Sequence, residues 1–391
     1  MKLLVILSRV PYPVEKGDKL RAFHQLRCLS VKHEIHLITL NDEQLDPAAE
    51  YELKKYCKSV HVLKLKPMGL VYNLLWAFFT GRPLQIGYFH RFSIKNEINN
   101  LVADIQPDHI YCQLARTAEY AAGINIPKTI DYQDVFSVGL QRRLPDLPFW
   151  KRPFFEMEAE RMAIYEETVF YQFDHHTIIA HPDRDLLPFN GRDKVLIVPN
   201  GVDFSYFIPD TETEKRYDLV FTGNMAYPPN IMAVEFLVRK ILPIVWESRP
   251  STNLLIAGTT PHLKVRSLSE SRILVSGWLK DMRTAYAASR IFIAPMLIGT
   301  GLQNKLLEAM AMDLPCITSF MANEALVATP GVDVLIAENP AEYARHILFL
   351  LKDPKKAKKL SDNGFQFVKS HYDWEAATAM LAGLMENTIK I

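Results

Sequence analysis

Short apolar runs rich in Val, Ile and Leu alternate along the chain with longer segments whose apolar residues recur every three to four positions. The runs at 2–7, 34–40, 60–65, 109–112, 128–131, 176–179 and 194–198 read as β-strands. Between the first two, Leu20, Phe23, Leu26 and Leu29 mark one face of a helix. Uninterrupted apolar strands separated by helices predict a parallel sheet covered on both faces. The pattern then restarts, with strands at 218–221, 254–257, 273–276, 291–294, 316–318 and 334–336. There Ile231, Val234, Leu237, Ile241 and Ile244 share one face of a helix over 231–246. The polar stretch 200–216, with Pro209 and a charged run, is the natural linker between the two series. The expected architecture is α/β, with two doubly wound Rossmann-like domains, 1–205 and 206–372, facing across a cleft. Ligands of such sheets bind beyond the carboxyl ends of the strands. The segment 373–391, led by Trp374, reads as an amphipathic helix that either caps the second domain or crosses back to the first.

Composition narrows the function classes. A chain of 391 residues can bury two real cores. Its net charge of +1 supplies no field that would draw it to nucleic acid, so no nucleic-acid partner is expected. Cys28, Cys57, Cys112 and Cys316 are widely spaced, which suits small core residues of a reducing compartment better than disulfides or zinc. The apolar N-terminus ends at Ser8-Arg9 before Pro11 and Pro13, as a first strand would and a signal peptide would not. No apolar stretch reaches the length of a membrane span, so a cytoplasmic location is expected. His24, His61, His90, His109 and the pair His175-His176 lack metal-ligand spacing, so no metal or other cofactor is expected, and most of them read as helix-surface or strand-edge residues.

The most informative segment is 295–315, PMLIGTGLQNKLLEAMAMDLP. A strand ends, a loop with Gly299 and Gly301 follows, and a strong helix begins near Gln303. Glycines before a helix let backbone N–H groups approach an anion, and the helix start favours phosphate. Lys305 falls in the first turn, where the helix dipole disfavours a cation by roughly 0.3–1 kcal/mol, and a bound phosphate would reverse that preference. Glu308 lies one turn after Asn304, placed to accept hydrogen bonds from the vicinal hydroxyls of a ribose. A plain Gly-containing loop feeding a buried helix accounts for the same residues equally well.

The run Gly299 to Met312 resembles the donor-site motif of the family 4 glycosyltransferases, retaining enzymes of the GT-B fold, and is nearest the bacterial exopolysaccharide and PEP-CTERM/exosortase-associated branch. Four further stretches agree in order: Arg9-Val-Pro-Tyr-Pro with 16–21, Asp131 to Asp134 with Ser137, 199–203 with Tyr206-Phe207, and 221–225 with Pro229-Asn230. The resemblance spans nearly the whole chain. It implies transfer of a sugar from a nucleotide-sugar donor to a saccharide or lipid-linked acceptor. It also implies that Glu308 holds the donor ribose, that Asn304 and Lys305 face the pyrophosphate, and that Gly277-Trp278 cradles the base. Thr300 stands where the family's E-x7-E motif has its first Glu. Gly223 and Asn224 follow the first strand of the second domain without the Arg and Lys that many members carry, which shifts the phosphate charge onto Lys305, the helix start and Arg21. A plain turn at Gly223-Asn224 and a core role for Trp278 are the bland readings.

On the acceptor side, the resemblance puts Gly17 and Arg21 beside the phosphates or acceptor. Asp134 follows a strand end facing the same cleft, where it either orients the acceptor hydroxyl or, equally well, stabilises its loop. Asp18 also reads as a helix N-cap. The apolar segment 70–80, LVYNLLWAFFT, follows several lysines and suits either an interfacial helix giving peripheral membrane contact or a buried helix over the sheet, with 145–155 as a second candidate for the same surface. Two other functions stay open: a nucleotide-sugar epimerase on the same fold, and a non-catalytic sugar-nucleotide-binding protein.

Overall fold

The computed structural model describes residues 1–299 and 301–387. They form two compact units, Asn200–Asp373 and Met1–Pro199 with the C-terminal helix Trp374–Asn387. The divide at Pro199 falls just before the polar stretch marked as linker.

The first unit is built on a seven-stranded parallel sheet. Its strands are β1 (Lys2–Leu7), β2 (Glu34–Asn41), β3 (Ser59–Lys64), β4 (His109–Gln113), β5 (Lys128–Asp131), β6 (His175–Ile178) and β7 (Leu196–Ile197), in the order β3-β2-β1-β4-β5-β6-β7. β1 is buried from Leu3 to Leu7 because helices cover both sheet faces. One face packs on Ile86, Ile98, Met162 and Val169, the other on Leu26, Leu29 and Leu53. The helix Trp374–Asn387 completes that second face with Ala377, Leu381 and Met385. Trp374 is buried and stacks on His24, ring centroids 5.0 Å apart.

The second unit repeats the plan with β8 (Tyr217–Thr222), β9 (Leu254–Ala257), β10 (Ile273–Gly277), β11 (Ser289–Ala294), β12 (Cys316–Thr318) and β13 (Leu335–Ile336). Their order is β10-β9-β8-β11-β12-β13, all parallel. In both sheets the order reverses beside the first strand, which opens a crevice at its carboxyl end. The single helix expected over 231–246 is instead Pro228–Phe236, a π-helical turn Leu237–Ile241, and Leu242–Ser248. Pro243 explains the difference: it has no N–H to donate and its ring crowds the carbonyl of Arg239, so the helix widens just before it.

Histidine placement also corrects the sequence reading. His24, His90, His109 and His176 are buried rather than at the surface. Burial pushes the imidazoles of His90, His109 and His176 down to about 4, which keeps them neutral core residues near pH 7. Among the described residues, no group of three or more His, Cys, Asp or Glu is placed to hold a metal, and no helix is long and apolar enough to cross a membrane.

Candidate functional site

The carboxyl ends of β8, β9 and β10 each terminate in glycine. Gly223 has φ +148° and Gly258 φ +150°, values that side chains rarely permit. A Cβ on Gly258 would lie 1.6 Å from the carbonyl oxygen of Gly223, so the two strand ends touch backbone to backbone. Gly223 N–H donates to Ala257, and Gly258 N–H donates to Gly277, both at 3.1 Å. The result is a side-chain-free ledge along three adjacent strand ends. Trp278 follows it and is 62% exposed, so it is not a core aromatic.

Across the switch point, β11 feeds the loop that leads to the helix Asn304–Ala311. Gly299 has φ +102°, and Gln303 sits at the N-cap in extended conformation, its amide bonded to the Gly301 carbonyl at 2.9 Å. Among the described residues no side chain caps this helix; the Leu306 N–H bonds to the Gln303 carbonyl at 2.9 Å, and an uncapped helix start of this kind favours anions. Thr300 lies outside the described residues.

Lys305 reaches back from this helix to the β8 loop. Its Nζ donates to Asn230 Oδ1, approaches Met296 Sδ at 3.7 Å, and sits 4.7 Å from the centre of the Phe221 ring. Asn230 is buried, and its Nδ2 donates to the Asn224 carbonyl at 2.9 Å. It also packs against Gly223, where a Cβ would meet Asn230 Nδ2 at 2.8 Å. One asparagine therefore joins Gly223, Asn224 and Lys305. Asn224 itself is exposed and shapes the turn by accepting from Ala226 N–H at 2.9 Å.

Electrostatics single out the same place. Burial pushes the Lys305 amine down to about 7, against the opposing pull of Glu308. Burial pushes the Glu308 carboxyl up to about 7, against the Tyr286 hydroxyl and Lys305. Tyr286 donates to Glu308 Oε2 at 2.7 Å and shares a 2.8 Å bond with the Thr222 hydroxyl. Asn304, at the helix start, accepts from Asn200 Nδ2 at 3.0 Å. Hydrogen bonds and close contacts thus join Gly223, Asn224, Asn230 and Lys305, and separately Glu308 and Tyr286. Gly258 links Gly223 to Gly277, with Trp278 next in sequence, while Gly301 and Asn304 flank the start of the helix that carries Lys305. Asn230 belongs to the motif stretch 221–225 with Pro229-Asn230 and Gly258 directly follows a strand, but nothing local marks Tyr286.

The residues expected on the acceptor side belong to the first unit and fare differently. Arg21 does not offer its charge to a ligand. It is fully buried, with Nε 2.6 Å from Asp131 Oδ2 and an Nη 3.2 Å from Oδ1. Asp131 also accepts from the Tyr111 and Thr177 hydroxyls at 3.1 and 3.0 Å, so the ion pair is a core element. Asp18 is not the N-cap. Lys16 holds that position, and Asp18 pairs with Arg9 at 3.3 Å inside the helix Gly17–Leu29. Gly17 opens that helix with clear space beside its Cα. Between β1 and β4 a crevice of about 10 Å³ lies among Ser8, Arg9, Asp18, Lys19 and Gln113, room for about one water.

Asp134 is exposed at the carboxyl end of β5, and its Oδ1 accepts from Val135 N–H at 2.8 Å. Ser137 is buried and donates to Glu166 Oε2 at 2.6 Å. Burial pushes the Glu166 carboxyl up to about 7, opposed by its bonds from Ser137. That carboxylate anchors the turn on which Asp134 stands.

Residues 216–353 match the family model described as Glycosyl transferases group 1. Over 389 residues the chain is 23% identical to an uncharacterized 44.6 kDa protein in the cps region of Klebsiella pneumoniae, covering 95% of this chain and 96% of the other. Sucrose-phosphate synthase from Thermosynechococcus elongatus superposes with a TM-score of 0.73 at 15% identity, covering 100% of both chains. HepE of Anabaena, in complex with UDP and glucose, gives 0.69 at 12% identity, covering 98% of this chain and 99% of that one. The chain therefore has the GT-B fold, and its second unit carries, over residues 216–353, the pattern of the group 1 glycosyl transferases.

Proposed function

We propose that this chain is a retaining glycosyltransferase that binds a nucleoside-diphosphate sugar in the unit 200–373 and transfers the sugar to a polysaccharide, glycolipid or lipid-linked acceptor at the cytoplasmic face of a membrane. The observation that carries the reading is Lys305, a desolvated amine beside an uncapped helix start, backed by a carboxylate one turn on. A diphosphate accepts from the first N–H groups of the helix Asn304–Ala311 and from Lys305, whose proton its charge restores. Glu308, steadied by Tyr286, accepts from the ribose hydroxyls. The glycine ledge admits the donor to backbone contact, and Trp278 offers its exposed face to the base.

In the transfer step the acceptor oxygen bonds to the anomeric carbon as the bond to the diphosphate oxygen breaks on the same face. The acceptor proton passes to the leaving phosphate, which requires no protein base. Lys305 and the helix dipole stabilise the charge that grows on that phosphate, and Asp134 orients the acceptor hydroxyl. In this reading the diphosphate charge is met without a metal or other cofactor.

The UDP bound in HepE makes uridine the first base to test. Incubating the purified chain with uridine, guanosine and adenosine diphosphate sugars and measuring diphosphate release tests the proposal. Slow donor hydrolysis with one base, abolished in Lys305→Ala, is expected. Tight binding without release from any donor would refute transfer in favour of a sugar-nucleotide-binding protein.

A further inference from the structure

The helix Leu70–Phe79 is built the wrong way round for water. Its inward face consists of Asn73 and Ala77, both buried, with Asn73 Nδ2 donating to the His90 carbonyl at 2.9 Å. Gly87, on the next helix Leu84–Phe89, fits against that face so closely that a Cβ there would lie 2.6 Å from the Ala77 Cβ and 2.8 Å from the Asn73 carbonyl oxygen. Small residues therefore face the protein. The large apolar residues Val71, Tyr72, Leu75, Phe78 and Phe79 share the opposite face, where Val71 is 71% and Phe79 80% exposed. A helix that rests on a soluble domain orders its faces in reverse.

A second exposed apolar group adjoins it. Phe149, 81% exposed, and Trp150 precede the helix Arg152–Gln172, and Phe154 lies in its first turn. Two turns further along the same helix, Arg161 lies over the Phe78 ring at 4.8 Å. Seven helical residues rise by about 10 Å, so the two groups border one surface. Such contiguous exposed apolar area marks an interaction site rather than ordinary surface.

Charge identifies the occupant. Between Glu52 and Glu97 the chain carries Lys54, Lys55, Lys58, Lys64, Lys66, Arg82, Arg91 and Lys95 but no Asp or Glu, although overall it has 45 basic and 44 acidic residues. Lys54, Lys55 and Arg82 pair with acids elsewhere. Lys64 and Lys66 are exposed and make no ion pair among the described residues. We infer that the outward face of the helix Leu70–Phe79, with Phe149, Trp150 and Phe154, seats in the interface of a bilayer bearing anionic lipid headgroups. Aromatic rings occupy the headgroup level while lysines add a salt-sensitive attraction. The inference stands whether or not the chain transfers a sugar.

Sedimentation of the full chain with phosphatidylcholine vesicles, with and without one third phosphatidylglycerol, tests it. The expected result is binding to the anionic vesicles that weakens as salt rises. Phe79→Ser with Phe149→Ser, both at exposed positions, is expected to keep the wild-type melting temperature and to lower partitioning at least about tenfold. Lys64→Glu with Lys66→Glu is expected to erase the preference for anionic vesicles. The inference is overturned if neither vesicle type pellets the protein at low salt, or if the double serine variant binds as the wild type does. A concentration-dependent dimer that the serine substitutions dissolve, without vesicle binding, would assign the face to a second copy instead.

Discussion

Lys305→Met is the perturbation that bears most directly on the donor site. In the free chain the amine is held at about 7 by burial, although Glu308 favours its charged form and Asn230 accepts its hydrogen bond. A bound diphosphate places negative charge beside the amine and returns its pKa towards the ordinary value near 10.5. The sign follows: the group is depressed when free and raised when bound, so binding takes up protons and affinity falls as pH rises above about 7. One unit above the free value, only about a tenth of the chains are already protonated. Binding at pH about 8 should therefore absorb close to one proton, and affinity should drop about tenfold per unit from there until the bound form also titrates.

In Lys305→Met that linkage disappears. Loss of a charged hydrogen bond, about 1.5–3 kcal/mol, weakens binding about 10- to 150-fold at neutral pH. Calorimetric titration of uridine diphosphate at two pH values above neutrality, each in two buffers of different ionisation enthalpy, gives the affinity and the proton count together. Proton uptake that survives in Lys305→Met, or wild-type binding with no proton linkage, would refute the reasoning.

Two further outcomes follow from the packing. Arg21→Met should lower stability by about 3–5 kcal/mol in urea unfolding, since it strands the buried Asp131 carboxylate; a stable variant with impaired diphosphate binding would return Arg21 to the ligand site. Gly258→Ala should not accumulate as folded protein, because its Cβ meets the Gly223 carbonyl oxygen. Gly277→Ala, with φ +71° but open space around it, should cost only about 1–2 kcal/mol, which paired melting curves would separate.

Both sheets were legible because strands buried on both faces read as uninterrupted apolar runs. The helix Arg152–Gln172 was not, since its buried positions include Glu158 and Glu166, which break the apolar period. Those carboxylates are buried because they accept from distant backbone: Leu84 N–H at 2.7 Å and Ser137 N–H at 3.3 Å. Arg21 looked like a ligand-facing cation because its partner lies far along the chain, and no local pattern announces such a pair. The donor loop was legible as glycines before a helix, whereas the part Tyr286 plays emerges only once β8, β11 and the helix Asn304–Ala311 converge. For the segment 70–80, composition left its orientation open, and Gly87 decides it by drawing Ala77 and Asn73 inward.

The Trp374–Asn387 helix makes the order of synthesis matter. Residues 200–373 leave the ribosome as one continuous stretch that holds its whole compact unit. The first unit, although translated earlier, lacks Trp374, Leu381 and Met385 until residues 374–387 emerge, so Leu26, Leu29 and His24 wait without their cover. The unit that is begun first is completed only after the other has been made, and a stop codon at position 374 would leave residues 200–373 whole while stripping the first unit of its covering helix.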